Sequence, residues 1–231
     1  YLTYYMQNHF GYSPLRTGIA FLPMIGALVA TAPTAGQFLL RRLGTRGVLI
    51  LGIGIEAAAF AFLSRIDVDS TYAAAVIPGL LIFGIGIGFV MPVAFNSGTR
   101  DIPASHIGLA SAVITVSQQI GASLGVALLA TYASRRVNMY VDEHAEQTKA
   151  QAMRALSQAQ ATPDSAAGQS IIARFTAELA DHAQISAYSG GFLLMACILI
   201  AVGALLGALT APAALRRARA ALQARRSRRR D

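Results

Sequence analysis

Charge, cysteine and tryptophan are scarce in this sequence, and each scarcity excludes something. Charged residues make up 13% of the chain, about half the share usual in a soluble domain. A water-soluble globule is therefore ruled out. The single cysteine, Cys197, leaves no possibility of an intrachain disulfide or a cysteine-built metal site. Tryptophan is absent, so any aromatic belt at a membrane surface falls to Tyr and Phe. Lysine occurs only at Lys149, and no glycine-rich loop ends in Lys-Ser or Lys-Thr, which excludes ATP binding through a P-loop. His9, His106, His144 and His182 have no ligand spacing with one another. No paired catalytic acids and no nucleophile–base arrangement can be argued. The chain reads as a non-enzyme without metal or cofactor.

What is present is apolar surface. Hydrophobic residues reach 55% and the mean hydropathy is +0.51. The expected fold class is all-α: a polytopic membrane helix bundle. Residues 78–125 organise it as a glycine-rich span, a polar elbow at residues 96–106 and a second span. Gly84 and Gly88 share one helix face, and in lipid such spacing lets helix backbones approach closely. On the second span Gly108, Ser111, Thr115, Gln118, Ala122 and Gly125 form a small, polar stripe. Leu109, Val113, Val116, Ile120 and Leu124 form a bulky one. The bulky stripe is expected to face lipid and the small one a partner helix or a wet cavity.

The remaining elements fall in order. Residues 1–6 look like the last turns of a helix, and the chain is expected to be the C-terminal part of a longer protein. Ser13 is expected to cap a helix with Pro14 at its first position. Residues 15–40 are about 26 residues long, enough to cross a ~30 Å core with tilt, and Pro23 and Pro33 should kink them. A basic turn at 41–46 leads to a span over 47–63. Membrane spans thus fill residues 1–134. Residues 135–186 turn polar and are expected to form an extracytoplasmic loop, broken at Thr162-Pro163-Asp164-Ser165. Within it Ile171, Ile172, Phe175 and Leu179 mark an amphipathic surface helix. Residues 187–212 form the final span, closed by Pro212, and residues 213–231 a basic cytoplasmic tail.

With the tail inside, the cytoplasmic side holds twelve Arg and the other side seven Arg or Lys. This is the bias of the positive-inside rule. A multi-pass plasma-membrane protein with a cytoplasmic C-terminus is expected. The tail is read as a topology and anionic-lipid element rather than a nucleic-acid binder.

Several motifs resemble one family. Gln7, Gly11-Tyr12-Ser13-Pro14-Leu15, Gly18 and Leu22-Pro23 resemble the segment entering the second helix of the C-terminal half of fourteen-span drug/proton antiporters. Those belong to the major facilitator superfamily. Gly84, Gly86, Gly88 and Pro92 resemble the later helices of the same half. So do Ile102-Pro103, Gly108-Leu109-Ala110-Ser111, Gln119-Ile120-Gly121 and Gly125-Val126-Ala127. The resemblance implies the C-terminal half of a major facilitator fold, with the N-terminal half as its missing partner. It also implies proton-coupled export of amphiphilic compounds by alternating access. Gly36 with Arg41, Arg42, Gly44 and Arg46 is similar to the family's cytoplasmic gating loop, but lacks its Asp and is one residue longer.

Glu56 is the one acid placed well inside a span, where a charge costs about 2.5–3.5 kcal/mol. It is read as a proton-coupling or cation-contact candidate, against a carboxyl bonded to a neighbouring helix. Ser111, Thr115, Gln118 and Gln119 are substrate-path candidates, or else hydrogen-bonding glue worth about 0.6 kcal/mol each. The pairs Gly84/Gly88, Gly121/Gly125 and Gly203/Gly207 are read as helix packing. The expected partners are a small-molecule substrate, protons and the lipid bilayer, with no nucleic acid. A nutrient or metabolite carrier of the same fold and a non-transporting membrane module are the alternatives.

Overall fold

Seven α-helices and no strand make up the described residues of the computed structural model, which are 2–34, 38–68, 70–100 and 102–227, with side chains as far as residue 209. Helix α1 (Leu2–Asn8) leads to α2 (Pro14–Ala20) and α3 (Leu22–Thr34), followed by α4 (Leu40–Leu63). A π-helical turn (Tyr72–Val76) opens into α5 (Ile77–Thr99), and a 3-10 turn (Ala104–His106) into α6 (Ile107–Gln158). Helix α7 (Ala166–Ser227) completes the chain.

Local chemistry sets several of these boundaries. Ser13 caps α2: its Oγ accepts from the Arg16 backbone N–H at 3.3 Å, and Pro14 stands at the first turn. Proline has no N–H to give the preceding turn, and the helix breaks at Phe21, two residues before Pro23. Residues 35–37 lie outside the described residues, so the expected end of this span is not placed. Gly44 interrupts α4 with φ 68° and ψ 170°, a region open essentially to glycine alone. That residue makes the basic turn expected at 41–46.

Three helix ends differ from the sequence reading. The α5 helix does not stop near Asn96 but runs through Pro92 to Thr99. The hydroxyls of Ser97 and Thr99 donate back to the Val93 and Phe95 carbonyls, at 2.6 and 3.1 Å, so polar residues continue the helix instead of ending it. Helix α6 does not end at Ser134; it is 52 residues long, because residues 135–161 contain neither Gly nor Pro and are rich in strong helix formers. It stops where Gln160 takes a positive φ of 48° and the Ala161 N–H donates to the Leu156 carbonyl at 3.0 Å. Helix α7 continues past Pro212 to Ser227.

The break at residues 162–165 is where the sequence puts it. Ser165 accepts from the Gly168 N–H at 3.0 Å and starts α7 directly. The result is an antiparallel hairpin extending α6 and α7, about 36 Å long if counted from residue 135 to Gln158. Ile172, Phe175 and Leu179 line a cavity together with Thr148, Ala152 and Leu156 of α6.

The bundle itself is built around α5. On one side α3 packs against Gly84 and Gly88; on the other α4 packs against Gly79 and Gly86. The outer side of α4 meets α7, where Ile53 and Ile50 approach Gly203 and Gly207. A buried cluster with Tyr5, Met6, Leu63, Val76, Leu80 and Phe192 closes one end. Tyr72 Oη donates there to the Ala20 carbonyl at 2.7 Å. At the other end Val48 packs on Val93.

Candidate functional site

The α4–α5 crossing holds the first candidate. Two glycines, Gly52 and Gly86, bring the backbones together. A Cβ at Gly86 would lie 2.5 Å from Glu56 Cγ and 3.1 Å from the Gly52 carbonyl oxygen. Glu56, one turn beyond Gly52, is half-buried and rests its stem on this crossing. The Glu56 stem is therefore packed against a backbone crossing that has no room to give. Sequence reasoning singled out Glu56 but missed the Gly52/Gly86 pair beneath it. The signal was present: Gly52 and Glu56 are four apart and share a face.

The other glycine pairs divide sharply. Gly84 lies against the Met24 carbonyl and Ala27, and Gly88 against Thr31 and the Leu28 carbonyl. The Thr31 hydroxyl is turned back to its own helix, donating to the Ala27 carbonyl at 2.7 Å. A Cβ added at Gly203 or Gly207 would lie 3.4 Å from Ile53 and 3.9 Å from Ile50 of α4, ordinary contact distances. At Gly121 and Gly125 an added Cβ meets nothing within 4 Å among the described residues.

This last observation belongs to the membrane part of α6 as a whole. No residue from 107 to 134 is buried. The bulky stripe is open, with Leu109 66% and Leu124 60% exposed. On the small stripe Ser111 and Gly125 are half-buried, while Thr115 and Gln118 are exposed, as is the neighbouring Gln119. Thr115 Oγ1 donates to the Ser111 carbonyl at 3.0 Å. The Gln118 amide points at Met91 Sδ across a distance of 4.0 Å, and Ile114 lies over Gly98. Thus α6 touches α5 lightly along Ile114 and Gln118, and leaves a polar–apolar surface open beside it.

The basic turn forms a third feature. Arg41, Gly44 and Arg46 line a cavity of about 740 Å³ together with Arg100 from the end of α5. Arg42 is turned elsewhere, its guanidinium 4.5 Å from the centre of the Phe38 ring. The joining of Arg100 to this turn had no signal in the sequence, since it depends on α5 running on to Thr99. Gly36 and Asp101 fall outside the described residues.

Among the described residues, no group of His, Cys, Asp and Glu could hold a metal ion. Five helical segments are long and apolar enough to cross a membrane, and with the close glycine crossings they define a multi-span α-helical membrane protein. The sequence profile of the Major Facilitator Superfamily matches residues 1–126, more than half of the chain, and the chain belongs to that superfamily. It is similar to the puromycin resistance protein pur8 of Streptomyces alboniger, 35% identical over 147 residues, 62% of this chain and 29% of that one. It is similar also to the tetracenomycin C resistance and export protein of Streptomyces glaucescens, 30% identical over 147 residues, 63% and 27% of the two chains. A triacylglyceride transporter of Mycolicibacterium smegmatis is 31% identical over 214 residues, covering 88% of this chain and 34% of that one. The chain thus spans about a third or less of the length of these relatives.

Proposed function

We propose that this chain is the C-terminal part of a fourteen-span secondary transporter that exports amphiphilic small molecules in exchange for protons by alternating access. The single observation that carries the reading is family membership combined with relatives named for drug resistance and export. The geometry adds to it. A half-buried carboxyl sits at a rigid helix crossing inside the bundle, where gain or loss of a proton changes the local charge most. One membrane helix, α6, presents an open polar–apolar face suited to a second bundle and to a substrate between the two. In this reading Glu56 couples the proton, and Ser111, Thr115, Gln118 and Gln119 border the substrate path. Arg41, Arg42, Gly44 and Arg46 form the cytoplasmic gating loop. The protein carries out transport and no catalysis, and its C-terminus is cytoplasmic.

A second reading within the same fold has its own support. The match to the triacylglyceride transporter covers 88% of the chain, whereas the matches to the two resistance proteins cover about 62%. A match over 88% must take in much of the hairpin of α6 and α7. It favours a lipid-class substrate, with hydrocarbon chains larger than those of a typical drug.

The test is substrate-dependent proton flux by the full-length transporter in proteoliposomes. Acidification that follows added amphiphile supports exchange; substrate movement without a proton signal contradicts it. Topology is read separately, with single cysteines at Ser165 and Ser227 in a Cys197→Ala background. An impermeant thiol reagent applied to whole cells should label position 165 and leave position 227 unlabelled; the opposite pattern overturns the assignment.

A further inference from the structure

Residues Pro14–Thr34 form one membrane span in two pieces, α2 and α3, with the break at Phe21. The two pieces are fastened to α5 by different means. Helix α3 lies backbone to backbone with α5, its Met24 and Leu28 carbonyls against Gly84 and Gly88. Tilting there would drive main-chain atoms into one another, and a close-packed interior gives little. Helix α2 is tied to the start of α5 by side chains. The Tyr72 hydroxyl donates to the Ala20 carbonyl at 2.7 Å. The Tyr72 and Tyr12 rings lie 6.0 Å apart, and the Arg16 guanidinium stands 4.2 Å from the centre of the Tyr12 ring.

The hydroxyl meets a carbonyl that the break sets free. In an unbroken helix the Ala20 carbonyl would accept from the Met24 N–H. Pro23 likewise has no N–H for the Ile19 carbonyl. Across the break the Phe21 N–H donates to the Gly18 carbonyl and the Ile25 N–H to the Phe21 carbonyl, each at 3.2 Å. Ala20 is buried, where a carbonyl without a partner is costly. Tyr72 supplies that partner from the π-helical turn that opens α5. It packs there on the cluster of Tyr5, Val76 and Phe192 that closes this end of the bundle. One hydrogen bond between helices opens far more readily than a packed backbone crossing.

We propose that Phe21 is a hinge and the Tyr72–Ala20 hydrogen bond its latch. When the bond opens, α2 swings as a flap about a fixed α3, and water replaces the hydroxyl on the Ala20 carbonyl. When the bond forms, α2 is held against the start of α5. The hinge and latch stand on this geometry; their use in an export cycle rests on the reading proposed above.

The test is double electron–electron resonance on the full-length transporter in lipid nanodiscs, with native cysteines replaced. A nitroxide pair at Leu15 and Val202 joins α2 to α7, and a pair at Val29 and Val202 joins α3 to α7 as the fixed reference. All three side chains are exposed. The first pair should give two distances, with the latched one dominant. Tyr72→Phe keeps the ring and removes the hydroxyl. It should raise the minor population about fivefold, the weight of one ordinary hydrogen bond. Pro23→Ala restores an N–H to the Ile19 carbonyl and should lower the minor population by stiffening the hinge. The reference pair should stay unchanged in both variants. An unchanged first pair in Tyr72→Phe overturns the latch, and so does an equal change in both pairs. A minor population that Pro23→Ala leaves unaltered overturns the hinge. Export is measured on the same protein: export with an unresponsive first pair refutes the latch and leaves the export reading standing. A first pair that responds as expected, without export, supports the latch and counts against the export reading.

Discussion

Helices α5 and α6 carry the same sequence device and put it to opposite use. Each has two glycines four residues apart in an apolar span. On α5 the pair Gly84/Gly88 is pressed against the backbone of α3, and Gly86 is pressed from behind by α4. On α6 the pair Gly121/Gly125 faces open space among the described residues. Small-residue spacing states that a close approach is sterically permitted; the partner decides whether it happens. In the reading proposed above, α5 is the fixed spine of this half. The α6 helix presents its face to the other half, against which it must slide during transport. A helix that slides cannot also be locked by interdigitated backbone.

The largest effect expected is at the spine. Gly84→Leu forces a side chain into the Met24 carbonyl and should cost about 3 kcal/mol, read as a loss of thermal stability of the full-length protein in detergent. Gly121→Leu on α6 should cost under about 0.5 kcal/mol. Equal losses at the two sites would break the comparison.

The hairpin part of α6 and its first part differ in packing. Leu156 is 4% exposed and packed on α7, so Leu156→Ala should cost about 2–3 kcal/mol. Leu124 faces outward, where lipid is as apolar as the side chain, and Leu124→Ala should leave the melting temperature nearly unchanged. A large loss at Leu124 would show that this face is packed in the full-length protein, which would sharpen the account by naming the contact. A smaller loss than at Gly84 or Leu156 is expected at a helix start. Ser13→Ala removes the cap of α2 and should cost about 1 kcal/mol, measured by the same unfolding experiment.

Much of this was legible in the sequence. The Ser13-Pro14 cap, the basic turn at Gly44 and the break at residues 162–165 all follow from local chemistry. Helix length was legible only in part. Polarity at residues 96–99 and 135–158 resembles a loop, yet side-chain hydroxyls and strong helix formers carry the helix onward where no Gly or Pro stops it. Partners were the least legible. The Gly52/Gly86 crossing and the Arg100 approach to the basic turn join residues 34 or more positions apart. No local pattern specifies such pairings.

The central claim is that a carboxyl fixed at the α4–α5 crossing couples this half to the proton gradient. Glu56→Gln tests it most directly, because it preserves shape and removes titration. In proteoliposomes holding the full-length transporter, the variant should keep substrate binding and lose export driven by a pH gradient, while Glu56→Asp retains part of it. Gradient-driven export by Glu56→Gln at the wild-type rate would contradict the claim and make the carboxyl a structural group.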